Sequence, residues 1–149
     1  MLSVATFDDI DELVELEEAM FDESIYPRLT QKEFQRLLGK KSTILYVWRD
    51  GKNIAGYALG VIINRQNIWF NSLAVLKEYQ SSIVAKELFR AIEEYAKDSH
   101  FKTVILEIRA DNKALFRRYT NFGYKKFKDI ASYYPDGMGA IRLIKLLSA

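Results

Sequence analysis

The 149-residue sequence contains no cysteine, one histidine (His100) and two prolines (Pro27 and Pro135). Without cysteine the chain cannot form disulfides, thiolate metal sites or iron–sulfur clusters, and it has no thiol nucleophile. A single histidine is too few for most zinc sites and does not favour a Ser-His-Asp triad. We therefore expect a reaction centre without a metal and without a covalent cysteine intermediate.

The sequence also lacks a strong net charge and a long hydrophobic run. Lys and Arg outnumber Asp and Glu by 22 to 20, a formal charge of +2 that does not by itself indicate a nucleic-acid partner. The longest nearly apolar run, residues 54–63, is about half of a membrane span. The N-terminus becomes acidic within its first residues, unlike a secretory signal peptide. We expect a cytoplasmic protein with neither nucleic acid nor membrane as a partner.

The residues that are present predict one globular domain over residues 1–149, since length and a 49% hydrophobic content are typical of such a domain. The apolar spacing predicts the order β-α-α-β-β-β-α-β-α-β-β. Strands are expected at 2–5, 43–48, 53–63, 68–75, 103–108, 125–132 and 139–147, and helices at 8–21, 30–38, 82–99 and 112–121. A meander followed by a β-α-β-α unit gives an α+β, three-layer fold with a mixed, mostly antiparallel seven-stranded sheet and helices on both faces.

The junction at residues 72–89 carries the first functional signal. A strand ends at Val75, a short loop follows, and a helix begins near Ser82. The free backbone N–H groups and the dipole at such a helix start can bind an anion. The spacing alone fits an ordinary crossover connection better than an anion site, and both interpretations stay open at this point.

This junction resembles the GCN5-related N-acetyltransferase (GNAT) superfamily. In that family Leu-Ala-Val at the end of the fourth strand lies along the pantetheine and acetyl group of acetyl-CoA, and a Gln/Arg-x-x-Gly-x-Gly/Ala loop surrounds the pyrophosphate. Residues 73–75 match the first motif, and residues 80–85 match the second with one departure. Three further segments, residues 106–112, 122–124 and 133–141, resemble the protein N-terminal branch, which includes the ribosomal-protein-alanine N-acetyltransferases.

The resemblance implies a set of acetyl-CoA contacts. They fall on Leu73, Ala74, Val75, Gln80, Ser81, Ser82, Ile83, Val84, Ala85, Lys86 and Asn112. Asn112 would hold the pantetheine arm, cap the following helix, or do both. Ile83 replaces the first glycine of the loop, and isoleucine tolerates positive φ badly. If Ile83 has helical dihedrals, its N–H can still donate; we expect weakened rather than abolished cofactor affinity.

The resemblance also implies two catalytic residues, Glu107 as general base and Tyr119 as the group that protonates the departing thiolate. On the alternating strand Glu107 points away from the face of Val104 and Leu106, among apolar neighbours. Its alternative role is a strand-end charge that reaches solvent or pairs with Arg109 or a lysine. The alternative role of Tyr119 is core packing. The Val75 N–H would meet the oxyanion of the intermediate.

The acceptor is expected to be an amine. A protein α-amine has a pKa near 8 and is roughly a tenth neutral at pH 7, so a weaker general base can deprotonate it than a lysine side chain would need. Tyr133 and Tyr134 would form one wall of a cleft and Tyr26, in the loop at 23–29, the other; aromatic cross-strand pairing is the alternative. The resemblance implies direct acetyl transfer from acetyl-CoA, most simply to a peptide or protein N-terminus. The alternatives are an inactive domain that binds acyl-CoA or a protein, and an enzyme for small-molecule amines.

Overall fold

A computed structural model describes residues 1–80 and 83–147. Over these residues the chain forms seven strands and four α-helices. The strands are β1 (Leu2–Val4), β2 (Thr43–Asp50), β3 (Asn53–Ile62), β4 (Asn67–Val75), β5 (Thr103–Arg109), β6 (Lys125–Ile130) and β7 (Ala140–Leu146). The helices are α1 (Ile10–Met20), α2 (Gln31–Leu38), α3 (Val84–Asp98) and α4 (Lys113–Asn121). The predicted order of elements is confirmed.

The seven strands form one sheet in the order β1-β2-β3-β4-β5-β7-β6. Every neighbouring pair is antiparallel except β4 and β5, which run parallel. The β2–β3 hairpin turns at Gly51, whose φ of +62° is strained for side chains other than glycine. The parallel step crosses through α3, as the β-α-β pattern predicts. The mixed, mostly antiparallel sheet is therefore confirmed.

Helices cover both faces of the sheet because successive strand residues point to opposite sides. One hydrophobic core joins α1 and α2 to the sheet and includes Leu13, Phe34 and Ala74. The other joins α3 and α4 to the opposite face and includes Val75 and Leu88. The end of β4 thus contributes to both cores, which fixes its position between the two helix layers.

Local signals explain most element ends. The Thr30–Glu33 capping box forms at the start of α2: the Glu33 N–H donates to Thr30 Oγ1 at 3.2 Å, and the Thr30 N–H donates to Glu33 Oε1 at 3.2 Å. The predicted strand at 125–132 ends two residues early, where Ser132 adopts a φ of +50°. Within the described ranges no helix is long and apolar enough to span a membrane.

Candidate active site

The two parallel strands are paired over their first three residues and then separate. Within the described chain, β4 and β5 pair only where Asn67–Trp69 lies beside Thr103–Ile105. Beyond that point β4 stays paired with β3 as far as Val75, while β5 stays paired with β7 as far as Arg109. An irregular register in the β3–β4 ladder, between Leu59 and Gly60, bends this part of β4. A gap therefore opens between the second halves of β4 and β5.

The backbone of β4 lines this gap. The Leu76 N–H donates to the Ala55 carbonyl of β3 at 2.8 Å, so Leu76 directs its backbone toward β3. Because backbone groups alternate along a strand, Leu73 and Val75 direct theirs to the opposite side, toward β5. The Gln80 side chain donates to the Val75 carbonyl at 3.0 Å. Three of the predicted cofactor residues thus meet at one edge of the gap.

Helix α3 begins beside the end of β4 without needing a glycine. Ile83 has φ −71° and ψ −11°, ordinary helical values, and its carbonyl accepts the Glu87 N–H at 2.9 Å. The Ile83 residue is 58% exposed, so its side chain points away from the core. Donation by the Ile83 N–H was expected to require helical dihedrals at this residue, and the structure has them. Val84 is buried, Ala85 packs against the core and Lys86 is exposed, while Ser81 and Ser82 lie outside the described residues.

Glu107 is held between two elements that the sequence analysis did not connect to it. Its side chain is 6% exposed. Oε1 accepts the Trp69 indole N–H at 2.7 Å, and Oε2 accepts Arg142 Nε at 2.8 Å. The Tyr133 hydroxyl lies 3.3 Å from Oε1. Glu107 therefore does form an ion pair, as the alternative role supposed, but its partner is Arg142 on β7 rather than Arg109 or a lysine, and it does not reach solvent.

Trp69 and Arg142 are the residues that sequence reasoning missed. Arg142 stands directly across the β5–β7 ladder from Glu107. A signal for it existed: an arginine between Ile141 and Leu143 on an apolar strand is as unusual as Glu107 itself, and opposite charges on neighbouring strands form favourable cross-strand pairs. Trp69 carries no comparable signal, since a tryptophan on a strand is ordinary.

Tyr119 lies in an aromatic cluster on the α3 side of the sheet. Its ring is 5.3 Å from that of Phe89 and 5.7 Å from that of Tyr124. Burial raises the pKa of Tyr119 from 10.0 to about 12. A thiol has a pKa of about 8.5, so this phenol holds its proton far more tightly than the leaving thiol does. Hydrogen-bond donation to a thiolate suits such a group better than complete proton transfer.

Asn112 caps helix α4. Its side-chain oxygen accepts the Leu115 N–H at 3.0 Å. This is the capping role that the sequence analysis allowed beside a cofactor contact, and it satisfies one of the free donors at the helix start. The cap also fixes the Asn112 amide at the end of β5, next to the gap.

The predicted acceptor residues form one cluster around Arg109. Its side chain is 10% exposed and makes two hydrogen bonds to Asp136, at 2.6 and 3.2 Å. It also donates to the Ile25 carbonyl at 3.3 Å. The guanidinium carbon lies 5.5 Å from the centre of the Tyr26 ring and 5.0 Å from that of Tyr134. The hydrogen bond from Arg109 lowers the pKa of Asp136.

The arrangement of the tyrosines differs from the predicted one. Tyr26 and Tyr134 were expected on facing walls, but their ring centres are only 5.6 Å apart in an edge-on contact. Tyr134 also packs against Tyr133, at 5.0 Å. The two loops are therefore joined at this point, because Arg109 binds both of them, and Tyr133 alone extends from the cluster to Glu107.

The described residues, 1–80 and 83–147, contain no group of three His, Asp or Glu side chains placed to hold a metal ion. The chemistry available at this gap is that of the Glu107 and Asp136 carboxylates, each paired with an arginine, several phenols and the strand backbone. Such a set suits proton transfer and the binding of a polar chain along β4.

Comparison with known proteins identifies similar chains. The model of the Acetyltransferase (GNAT) family matches residues 10–124. An uncharacterized N-acetyltransferase of Methanocaldococcus jannaschii is 30% identical over 138 residues, which cover 92% of this chain and 85% of that one. N-alpha-acetyltransferase 30 of Schizosaccharomyces pombe is 28% identical over 94 residues, 58% of this chain, and the match spans less than two thirds (63%) of that protein.

Solved structures show the same fold. The ribosomal-protein-S18-alanine N-acetyltransferase from Escherichia coli superposes with a TM-score of 0.88 and 19% sequence identity. The superposition covers 100% of this chain and 94% of that one. At this level of identity the likeness establishes the arrangement of the elements around the gap.

Proposed function

The chain belongs to the acetyltransferase (GNAT) family, and from this premise we propose that it transfers an acetyl group from acetyl-CoA directly to the α-amine of a peptide or protein N-terminus. The observation that carries the proposal is the β4–β5 gap with Glu107 fixed at its edge by Trp69 and Arg142. The S. pombe relative is named for N-alpha-acetylation and the E. coli structure for the alanine of ribosomal protein S18. Both names support an α-amine as the acceptor.

The residues around the gap fit acetyl-CoA. Its pantetheine arm carries amide groups, which can pair with the backbone that Leu73 and Val75 direct toward the gap. The start of α3 offers the positive end of its helix dipole to the pyrophosphate, with Ile83 and Lys86 as the proposed contacts. Bound there, acetyl-CoA supplies an activated thioester. We propose Gln80 and Asn112 as further contacts, and Ser81 and Ser82 remain predictions from the motif.

Glu107 is the proposed general base. The Tyr133 contact is its longest, at 3.3 Å, and Tyr133 is 39% exposed, so an incoming amine or a water can replace this hydroxyl on Oε1. Trp69 and Arg142 keep the carboxylate in place during that exchange. The amine then loses a proton to Glu107, directly or through the water, and becomes able to attack.

The roles proposed for Val75 and Tyr119 depend on the negative charge that develops during the reaction. As the new C–N bond forms, negative charge moves to the carbonyl oxygen, where the Val75 N–H can donate a hydrogen bond. When the C–S bond breaks, the thiolate leaves with its electron pair and takes the second proton of the attacking nitrogen, directly or through water, while the first proton passes from Glu107 to solvent. Tyr119 would stabilise that thiolate by hydrogen bonding. Tyr133, Tyr134 and Tyr26 would border the peptide.

The inactive-domain alternative depended on Ile83 and on the missing loop glycines; the helical conformation of Ile83 supports the enzyme over that alternative. The experiment mixes purified protein and acetyl-CoA with peptides that have free N-termini and follows thiol release. N-terminally blocked peptides that contain lysine, together with spermidine and free amino acids, serve as competing acceptors. We expect acetylation at the α-amine only. Binding of acetyl-CoA in a thermal shift assay without turnover of any acceptor would overturn the proposal.

A further inference from the structure

A glutamate is buried in the core below the acceptor loop. Glu17, on α1, is 1% exposed. Its surroundings form the hydrophobic core that contains Leu13 and Phe34. Burial raises the pKa of Glu17, because a charge is poorly solvated there. A carboxyl group in such a place is costly unless it is hydrogen-bonded, so its partners indicate what it does.

Both oxygens of Glu17 have a partner. Oε2 accepts the Leu29 N–H at 2.8 Å. Oε1 accepts the hydroxyl of Tyr57, a fully buried residue of β3. The same hydroxyl lies 2.8 Å from Oγ of Ser72, on β4. A continuous chain of hydrogen bonds thus runs from Leu29 through Glu17 and Tyr57 to Ser72.

The two ends of this chain lie at the two sides of the proposed active site. Leu29 ends the loop between α1 and α2, which carries Tyr26 into contact with Tyr134 and Arg109. Ser72 directly precedes Leu73, where β4 begins to line the gap. The chain therefore links the loop that borders the acceptor to the strand that borders the donor.

We propose that Glu17 is a positioning residue for the acceptor, which holds the α1–α2 loop through Leu29 and sets its distance from β4 through Tyr57 and Ser72. This role rests on the proposed function. Stability alone does not explain the residue, since replacing a buried charged group by an apolar one of similar size is often neutral or stabilising. Glu17 provides what an apolar side chain cannot, two acceptors at a fixed separation.

Steady-state kinetics on variants of the whole chain test this role. Glu17→Leu removes both acceptors and keeps a side chain suited to the core. We expect the KM for peptide to rise about tenfold, which corresponds to the free energy of about one hydrogen bond. The KM for acetyl-CoA should not change. Glu17→Gln keeps an oxygen for the Leu29 N–H and can donate to the Tyr57 oxygen, so its peptide KM should stay within about twofold of wild type.

A second variant decides the question if Glu17→Leu does not fold. Tyr57→Phe keeps the ring and removes only the bridging hydroxyl, and we expect the peptide KM to rise about threefold. Tyr46→Phe, which removes a tyrosine hydroxyl on the opposite face of the sheet, is the matched control and should leave both KM values unchanged. Equal increases for both substrates, or a wild-type peptide KM in Glu17→Leu and Tyr57→Phe, would overturn the positioning role.

Hydrogen exchange of the Leu29 amide separates this proposal from the function on which it rests. In the wild type the amide should be protected, and in Glu17→Leu or Tyr57→Phe it should exchange faster. This measurement needs no turnover. A wild-type protein that protects Leu29 but acetylates nothing overturns the proposed function alone. An unprotected Leu29 amide in an active wild type overturns the role of Glu17 alone.

Discussion

The two sides of the gap are built differently. The donor side consists of backbone from regular elements, the free edge of β4 and the start of α3. The acceptor side consists of side chains from loops, joined by Arg109, whose bond to the Ile25 carbonyl connects residues 84 positions apart. The donor side therefore depends on local structure, whereas the acceptor side depends on pairings that form only after the chain has folded. Substitutions should affect the two sides separately.

Glu107→Gln tests the residue at which the two sides meet, and it should have the largest effect. The amide cannot take up the proton of the amine, and one of its ends would present N–H groups to Trp69 or Arg142. We expect kcat to fall about a hundredfold or more, with the binding of acetyl-CoA retained. Initial rates at saturating substrate and calorimetry with acetyl-CoA measure the two quantities.

Glu93→Gln is the matched control for this substitution. Glu93 is also mostly buried and paired with a cation, Lys145 at 3.2 Å, but it lies on α3 and has no contact with Glu107, Trp69 or Arg142 among its hydrogen bonds. We expect its kcat to stay within about twofold of wild type. If Glu107→Gln has the same kcat as Glu93→Gln, Glu107 is not the base.

Comparing the wild type with Tyr119→Phe tests whether the Tyr119 hydroxyl is shielded from solvent in the core behind the donor side. Its pKa is raised from 10.0 to about 12, so the unfolded chain releases this proton first as pH increases. The stabilisation is complete below pH 10 and is lost as pH rises toward 12. Two pKa units correspond to about 2–3 kcal/mol, so the free energy of unfolding should fall by that amount relative to Tyr119→Phe.

Urea denaturation of both proteins across this pH range provides the measurement. The other buried tyrosines are present in both proteins, so the difference between the two curves isolates Tyr119. Parallel curves would mean that Tyr119 ionises near its ordinary pKa. Tyr119 would then be open to solvent at the gap, and the donor side would not be backed by a closed core.

Arg109→Lys tests the acceptor side alone. Lysine keeps the charge but cannot make the paired hydrogen bonds to Asp136. We expect the KM for peptide to rise about tenfold and the KM for acetyl-CoA to stay unchanged. Arg36→Lys, on the exposed surface of α2, should change neither value. A rise in the KM for acetyl-CoA as large as that for peptide would show that the two sides are not independent.

The pH dependence of this cluster has a definite sign. The pKa of Asp136 is lowered by its hydrogen bond with Arg109. The pair is therefore complete above the ordinary value of 3.8 and is lost only as pH falls through the lowered value. Asp136 therefore stays ionised around neutral pH, and its titration should not make the peptide KM depend on pH there.

The contrast between the two sides also explains what the sequence could predict. The order of elements follows from local patterns, since periodicity and caps act over a few residues, whereas the donor site was predicted from the family resemblance. Glu107 is unusual as a charge on an apolar strand, but its catalytic role was predicted from the family resemblance. Trp69 and the Tyr26–Tyr134 contact could not be found, because both depend on how distant segments pack. The joined loops are an example, because Tyr26 and Tyr134 were both identified as site residues but the contact between their rings was not predicted.

Ile83→Gly should have the smallest effect, and it tests whether the donor side needs the missing glycine. Ile83 already has helical dihedrals and an exposed side chain, so a glycine brings the backbone no closer to a phosphate. We expect the Kd for acetyl-CoA to change by less than about twofold, and the free energy of unfolding to fall by up to about 1 kcal/mol because glycine loses more entropy on folding.

Ile83→Ala is the control, since it removes the same side chain without adding backbone freedom. If calorimetry shows about tenfold tighter binding for the glycine variant but not for the alanine variant, the pyrophosphate requires a conformation that Ile83 does not adopt. Affinity on the donor side would then be limited by one backbone position. Unchanged affinity in both variants would mean that the N–H groups of a regular helix start are sufficient there, and that isoleucine is tolerated because its side chain faces solvent.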